Sequence, residues 1–292
     1  GHRMARSDNA QSALWMIGSM TAFAAGDTLI KLLGSQLPLP QMIALRGICG
    51  VVLVFVLARS LGALRWRLPA RDWGLIAVRS VADIGTTFFF LTALVNMKIA
   101  NATAVMQMAP LTITLAGAVF LREHVGWRRW SAIVVGFGGM ILIVGPASDD
   151  FNAYSVFALV AVGFVTVRDL TTRALSPAVP SMLVTLINTV NVMIFGFVWS
   201  LFYTWQPMDL SMAVLIVGSA MTVVVAYLCG VMTIRVGEMS AAAPFRYSGL
   251  LVALILGYVV FGEWPTTQAL LGAAIVVATG VYTLLREAAV AR

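Results

Sequence analysis

Charged side chains stand inside stretches of sequence that are otherwise apolar. Asp27 and Lys31 are four residues apart in the first such stretch, and Arg46 lies in the second. A charge removed from water is costly unless an opposite charge or a hydrogen bond compensates it. We therefore predict an ion pair between Asp27 and Arg46. This pair either works as a gate or simply holds two helices together.

A second set of charges occupies later apolar stretches. Arg79 and Asp83 are four residues apart, so they share one face of a helix. Asp169 and Arg246 come from the second half of the chain. If these four side chains meet, they form a cluster that binds or gates a charged solute. The alternative is that each one reaches separately for polar surroundings.

Aromatic and amide side chains accompany these charges. Phe90 follows Asp83 by seven residues and shares its helix face, and Gln107, Tyr227 and Tyr247 add polar or aromatic groups. Such a site could bind a carboxylate through an arginine, an ammonium group through an aspartate, and an apolar group through the aromatic wall. The alternative is that the aromatic residues serve only packing or face lipid.

Pro110 lies in the middle of an apolar stretch. Because proline lacks a backbone N–H, it either kinks the helix or leaves a carbonyl free to face a cavity.

The sequence lacks the patterns that enzymes and ATP-driven pumps use. It has no Gly-x-x-x-x-Gly-Lys loop, which argues against ATP-driven pumping. His124 is the only histidine after Met4, and neither a Cys/His cluster nor a His-Glu-x-x-His pattern marks a metal site. We therefore expect no enzymatic activity, no metal and no cofactor.

The elements that must position these residues are membrane-spanning helices. Apolar residues make up 60% of the 292 residues and charged residues only 11%, which is too little charge to cover a soluble surface. The mean hydropathy is +0.94. Apolar runs of about 20 residues, long enough to cross a bilayer, alternate with short breaks. Ten spans are predicted, at roughly 12–33, 40–58, 73–95, 99–120, 130–146, 152–173, 181–203, 211–234, 240–261 and 267–286.

Basic residues predict how these spans are oriented. If the N-terminus is inside, the outside loops hold a single basic residue, Lys98. This asymmetry follows the positive-inside rule and predicts that both termini are cytoplasmic. The net charge of +7 is then an orientation signal and not a nucleic-acid-binding surface. The basic residues assigned to the inside are Arg6, Arg59, Arg65, Arg67, Arg71, Arg122, Arg128, Arg129, Arg173, Arg235, Arg286 and Arg292.

Helix direction predicts the depth of the charges. The Asp27–Arg46 pair lies roughly 9 Å from the outer ends of its helices, and the second set of charges lies near the inner ends. Two charged clusters at opposite ends of a cavity suit two gates that close alternately. Lys31, Arg168 and Arg173 are instead expected to extend towards lipid headgroups.

The ten spans divide into two halves of five around the Pro146–Asn152 linker. Because each half has an odd number of spans, a second copy of the same unit enters the membrane in the opposite orientation. Residues 4–146 and 152–286 are therefore predicted to be inverted repeats. Residues 1–3 are interpreted as an expression scar. Each half opens with an aspartate followed four residues later by a base, and each contains G-x-V-F/V-x-x-E, ending at Glu123 and Glu263. Convergent helix-end chemistry is the alternative explanation.

These features resemble the drug/metabolite transporter superfamily, and within it the bacterial EamA-type exporters. The resemblance covers nearly the whole chain and rests on Ala109-Pro110 before a long apolar span and on the helix ends F-L-R-E and V-F-G-E. It implies two inverted repeats around a central cavity, alternating access, and a place in the bacterial inner membrane. One departure is that Leu250 occupies the repeat position of Pro110. The proline of the second half is Pro244, so its helix break is expected elsewhere.

Three functions follow from these observations. The resemblance implies a secondary exporter of small amphipathic metabolites, favouring amino acids, aromatic ones included. Arg46, Arg79 and Arg246 would also suit a transporter of phosphorylated or other anionic metabolites, although three aspartates partly balance them. A membrane-embedded enzyme is least favoured. The expected partners are a small-molecule substrate and the lipid bilayer, with no nucleic acid; the oligomeric state is left open.

Overall fold

The protein is all-helical throughout the part of the chain that the computed structural model describes, residues 2–145, 149–236 and 242–290. Gly1, Pro146, Ser240 and Arg292 lie outside these ranges. Within these ranges the fold consists of eleven α-helices and one 3-10 helix (Ala243–Tyr247). The α-helices are α1 (His2–Leu33), α2 (Leu39–Ser60), α3 (Ala70–Asn96), α4 (Ile99–Met106), α5 (Ala109–Phe120), α6 (Trp127–Val144), α7 (Tyr154–Ala174), α8 (Ser181–Ser200), α9 (Leu210–Val236), α10 (Ser248–Phe261) and α11 (Thr267–Val290).

In the described part of the chain, ten helical segments are long and apolar enough to cross a membrane. They coincide with the ten predicted spans to within a few residues at most ends, which confirms a polytopic all-α membrane protein. The largest difference is at the start of α1, which extends from His2 although the first predicted span begins at residue 12. The polar residues before position 12 continue the helix beyond its apolar part.

Two of the ten spans are interrupted near a proline. The fourth span consists of α4 and α5, which separate at Gln107 and Met108, because Pro110 has no N–H to donate to the carbonyl of Met106. The break predicted from Pro110 is therefore confirmed. The ninth span begins with the 3-10 helix, which contains Pro244, and α10 follows directly.

The spans pack mainly as antiparallel pairs that join the two halves of the chain. In the pair α1–α9, the hydroxyl of Ser12 donates to the carbonyl of Thr233, and that of Ser19 donates to the carbonyl of Ala226. The residue numbers rise along α1 while those of the contacted residues fall along α9, so the two helices are antiparallel. The other large pairs are α2–α8, α3–α7 and α6–α11, and α4 lies against α10.

This pairing is reciprocal between the two halves. The first span of the first half packs on the third span of the second half, and the third on the first. The second, fourth and fifth spans each pack on their own counterparts. An inverted repeat requires this arrangement, and the repeat of residues 4–146 and 152–286 stays our proposal.

Because successive spans run in opposite directions, the segments that connect them lie at alternate ends of the helix bundle. We call the end formed by the arginine-rich segments, with residues 61–69 and 121–126, the basic end. The opposite end carries Lys98, Asp150, Asp209 and Glu263, and we call it the acidic end.

Candidate functional site

Two adjoining cavities occupy the interior of the bundle. The central cavity has a volume of about 90 Å³ between α2, α3, α8 and α9, and its polar lining includes Arg46, Thr87, Asn188 and Tyr227. The second cavity, which we call the vestibule, has a volume of about 510 Å³ and reaches the basic end at Arg173. Because Tyr227 lines both, the two cavities meet at its side chain. A solute entering from the basic end would pass Tyr227 to reach Arg46.

Asp27 and Arg46 do not form the predicted contact. The two charges interact electrostatically, and Arg46 also interacts with Tyr227. In the parts of the chain that the structure describes, however, no ion pair or hydrogen bond joins either side chain to another residue. The predicted direct ion pair is therefore wrong, because the helices hold the carboxylate of α1 and the guanidinium of α2 apart.

A charged network links α3 to α7. Arg79 Nη1 lies 2.8 Å from Asp83 Oδ2, as the spacing of four residues predicts. Arg168 Nη1 lies 3.4 Å from Asp83 Oδ1, and Arg168 Nε lies 3.1 Å from Asp169 Oδ1. Arg79 Nε also donates to the hydroxyl of Thr172 at 2.7 Å. The two arginines and two aspartates thus neutralise one another within one network.

Arg168 was predicted to extend towards headgroups, and that prediction is wrong. Its guanidinium joins Asp83 to Asp169 and is the centre of the network. The sequence predicts Arg246 as a member of this cluster, but Arg246 instead lines the vestibule together with Asp169. Among the described residues, Arg246 makes no ion pair. The signal that was missed is the direct succession of Arg168 and Asp169 on a helix that packs on α3.

The aromatic candidates separate into two groups. Tyr227 lines both cavities and packs edge-to-face on Phe23, with ring centroids 5.6 Å apart. Phe90 instead packs between two apolar clusters of the core. Tyr247 is 5% exposed, and its hydroxyl lies beside Gly280 with no hydrogen-bond partner among the described residues. Only Tyr227 is therefore placed where it can touch a solute in either cavity.

Gln107 and Pro110 form the helix break and lie outside both cavities. The backbone N–H of Gln107 caps α4 by donating to Thr103 and Ala104, and Pro110 is buried in the first turn of α5. Neither residue lines the central cavity or the vestibule. Their placement favours a structural hinge over a direct contact with substrate.

The acidic end is held together by charges from several loops. Lys31 Nζ lies 2.8 Å from Glu263 Oε2 and also donates to the carbonyl of Met97. Lys98 Nζ lies 2.7 Å from Asp150 Oδ1 and 2.9 Å from the carbonyl of Trp264. Lys31 was expected to extend towards headgroups, and that prediction is wrong. We call these contacts the acidic-end clasp.

Asp150 is the acceptor at the centre of this clasp. Burial raises the pKa of its carboxyl, but hydrogen bonds from Lys98, Asn101 and the backbone of Thr266 outweigh burial and hold the pKa below its usual value. The carboxylate is therefore ionised at neutral pH and binds three neighbouring segments together. No residue of the clasp lines the central cavity or the vestibule. The vestibule therefore reaches the basic end, while the clasp joins the connecting segments of the acidic end.

Comparison with known proteins confirms the resemblance noted from the sequence. Residues 11–145 match the EamA-like transporter family. A riboflavin transporter of Vibrio cholerae is 28% identical over 91% of this chain and 90% of its own length. An S-adenosylmethionine uptake transporter of Rickettsia conorii is 26% identical over 94% of this chain and 92% of its own length. Both relatives are thus similar along nearly the entire chain.

Two further similarities are more limited. A pseudopaline exporter of Pseudomonas aeruginosa is 26% identical over 50% of each chain. A solved crystal structure aligns with a TM-score of 0.63 at 17% identity, covering 94% of this chain and 97% of that chain. This last similarity concerns the fold alone.

Proposed function

We propose that this chain is a secondary transporter of a zwitterionic, amphipathic metabolite, because residues 11–145 match the EamA-like transporter family and two relatives that are similar over nearly the whole chain are named as transporters. Amino acids are the favoured class. It works by alternating access in the bacterial inner membrane, with both termini cytoplasmic, and exports its substrate. We assign this structure to the conformation in which the interior is open to the cytoplasm.

The observation that carries this proposal is the separation of Asp27 from Arg46. Arg46 lines the central cavity and Asp27 lies within electrostatic reach of it, and neither side chain forms an ion pair or a hydrogen bond with another described residue. Charges in surroundings of low polarity are costly when unpaired. A substrate that carries both a carboxylate and a cationic group would compensate Arg46 and Asp27 together. A neutral or singly charged solute would leave one of them unpaired.

The lining of the central cavity adds a preference for a substrate with both polar and aromatic or apolar groups. Tyr227 supplies an aromatic surface at its entrance, and the buried carboxamide oxygen of Asn188 has no hydrogen-bond partner among the described residues. A substrate with a polar donor group and an aromatic or apolar group fits this lining.

The names of the relatives agree with an amphipathic substrate and extend the range of candidates. Riboflavin and S-adenosylmethionine each join a planar heteroaromatic ring system to a polar chain, and S-adenosylmethionine ends in an amino-acid group. The relatives are named for uptake as well as for export. Riboflavin and S-adenosylmethionine should therefore be tested as substrates together with amino acids.

A transporter of anionic metabolites is the second candidate. Arg46 in the central cavity and Arg246 in the vestibule favour it, because neither makes an ion pair within the described ranges. Arg79 and Arg168 do not add to this charge, since Asp83 and Asp169 neutralise them. We favour the zwitterion because Asp27 would repel an anion from Arg46.

Counterflow in proteoliposomes tests the proposal. Purified protein is reconstituted into vesicles loaded with one unlabelled compound, and uptake of the labelled compound is measured. The panel contains amino acids, S-adenosylmethionine, riboflavin and a sugar phosphate. We expect counterflow with at least one zwitterion, and Arg46→Gln and Asp27→Asn should each reduce it at least about tenfold, or ~1.4 kcal/mol.

Matched controls lie on the same two helices. Arg59→Gln on α2 and Asp8→Asn on α1 remove exposed charges of the same types and should leave counterflow within twofold of the starting protein, as about ±0.5 kcal/mol allows. Counterflow with the sugar phosphate alone would favour the second candidate. Unchanged counterflow in both Arg46→Gln and Asp27→Asn would remove the assigned site.

A further inference from the structure

The fourth spans of the two halves end in the same backbone turn. Residues 122 and 262 both adopt left-handed conformations, with φ of 52° at Arg122 and 65° at Gly262. The next residue in each case is a glutamate whose N–H bonds back to a glycine carbonyl, Glu123 to Gly117 at 3.1 Å and Glu263 to Gly257 at 3.0 Å. Each bond joins residues six positions apart, one more than the bond of a Schellman helix end, across a left-handed residue of the kind that commonly terminates helices. Glu123 and Glu263 therefore occupy equivalent positions, at opposite ends of the bundle.

The first spans of the two halves supply equivalent bases. Lys31 follows Asp27 by four residues near the end of α1, and Arg173 follows Asp169 by four residues near the end of α7. If each residue is replaced by its counterpart in the other half, the pair Lys31–Glu263 becomes the pair Arg173–Glu123. Each pair joins the first span of one half to the fourth span of the other.

The structure contains only one of these two pairs. Lys31 and Glu263 are in contact at 2.8 Å, with side chains 11% and 19% exposed. Glu123 and Arg173 are both exposed at the basic end, and no ion pair joins them among the described residues. The Glu123 carboxylate lies over its own helix end, where a Cβ added at Gly117 would be 2.6 Å from Oε2. Arg173 lines the open vestibule.

We propose that Glu123 and Arg173 form the ion pair that closes the basic end when the acidic end opens. Closing the vestibule brings the end of α5 to the end of α7, while Lys31 and Glu263 separate. The two pairs thus form in turn, one in each conformation. This inference rests on the proposed function, since it assigns residues to the conformational cycle of transport.

Exchange of equivalent pairs keeps the two conformations close in free energy. An ion pair lost at one end is replaced by one of the same kind at the other, so neither state is strongly favoured by these charges. Removing one partner from either pair should shift the balance by about three- to tenfold, which is the range between exposed and partly buried ion pairs. The direction of the shift depends on which end has lost its pair.

Cross-linking tests the pair without any substrate. Glu123→Cys and Arg173→Cys are combined in protein that also carries Cys49→Ala and Cys229→Ala, and disulfide formation under mild oxidation is timed. We expect a cross-link, and adding Lys31→Gln should accelerate it at least about threefold because the acidic-end clasp is weakened. The control pair, Arg128→Cys with Arg173→Cys, should not respond to Lys31→Gln.

Charge reversal tests the pair during transport. Glu123→Arg and Arg173→Glu should each slow counterflow at least about threefold, and the double variant Glu123→Arg/Arg173→Glu should restore it. The double variant Glu123→Arg/Arg128→Glu, which moves the acidic charge to a neighbouring exposed arginine, should not. All three positions are exposed at the basic end, and gel filtration confirms that each variant is folded before reconstitution.

The outcomes separate this proposal from the proposed function. If the starting protein shows counterflow but the cross-link is absent and the double reversal restores nothing, the Glu123–Arg173 pair is refuted and transport stands. If the cross-link forms and responds to Lys31→Gln while no compound in the panel is transported, the pair stands and the proposed substrate class fails.

Discussion

At the scale of single residues, the position of a charged side chain decides whether it forms an ion pair within the protein or stays without one. Arg168 forms an ion pair with Asp83 on another helix at 3.4 Å, and Lys31 forms one with Glu263, just after the end of α10, at 2.8 Å. Asp27 and Arg46 are held apart and have no direct partner among the described residues. The same side-chain types thus stabilise the fold in one place and leave charge available near a cavity in another.

Asp150 gives a pH dependence at this scale. Its folded-state pKa lies below the usual value of about 3.9. Its ionised form therefore stabilises the folded protein above that pH, and the contribution is lost as the pH falls through the folded-state pKa. We expect Asp150→Asn to lower the melting temperature at pH 7 and to reduce the drop in melting temperature between about pH 5 and pH 3.

The matched control for this measurement is Asp209→Asn, because Asp209 is an exposed carboxylate at the same end of the bundle. Its Oδ1 accepts the N–H of Met212 at the start of α9, and asparagine also caps helices well. The control should follow the starting protein at every pH. A melting curve for Asp150→Asn that runs parallel to the starting protein would contradict the assigned role of Asp150.

At the scale of helices, close antiparallel pairs depend on glycine where the backbones approach. A Cβ at Gly47 would lie 2.7 Å from the Cβ of Met193 in the pair α2–α8, and one at Gly85 would lie 2.6 Å from the ring of Phe164 in α3–α7. In α6–α11, a Cβ at Gly139 would lie 2.8 Å from the carbonyl oxygen of Gly272. Backbone atoms cannot move aside as a flexible side chain can, so the last contact is the strictest.

Gly139→Ala is accordingly expected to destabilise the protein by about 1–3 kcal/mol, because the added methyl group would push α6 away from α11. Gly138→Ala is the matched control, since nothing lies within 4 Å of a Cβ at the neighbouring position. Alanine is also the better helix former, so the control should be neutral or slightly stabilising. Melting temperatures of both variants in the same detergent measure the difference. Equal melting temperatures would show that the two helices do not approach closely at Gly139.

At the scale of the whole molecule, the reciprocal pairing of helices contrasts with the unequal state of the two ends. The helix pairs of one half mirror those of the other, yet the acidic end carries the Lys31–Glu263 and Lys98–Asp150 contacts while the vestibule reaches the basic end. A molecule built from two equivalent halves can place the opening at either end by exchanging their conformations. This is the physical basis of the alternating access proposed above.

Topology is the prediction that belongs to this scale. We propose that both termini lie in the cytoplasm, because ten spans occur in the described part of the chain and the arginine bias favours a cytoplasmic N-terminus. Reporter fusions at residues 8 and 286 should both give the cytoplasmic signal, and a reporter inserted in the loop 201–209 should give the opposite one. Termini on different sides would remove the antiparallel assignment of the two halves and the cavity that depends on it.

The amino-acid sequence by itself determined the number of spans, their limits to within a few residues, and the helix break near Pro110. These properties depend on local hydrophobicity and on the missing N–H of proline, which act over a few turns of helix. The sequence also identified Arg79 with Asp83, because a spacing of four residues fixes their contact on one helix face. The shared motif ending at Glu123 and Glu263 was visible, although its purpose was not.

Only the tertiary structure decided which charges meet across helices. Arg168 reaches Asp83 over 85 positions of sequence and Lys31 reaches Glu263 over 232, and no local pattern fixes such distances. Equal depth in the membrane was also not enough to join Asp27 to Arg46, since depth does not determine which way each helix faces. Helix rotation and pairing, set by packing at glycines and by buried apolar faces, are properties of the assembled bundle.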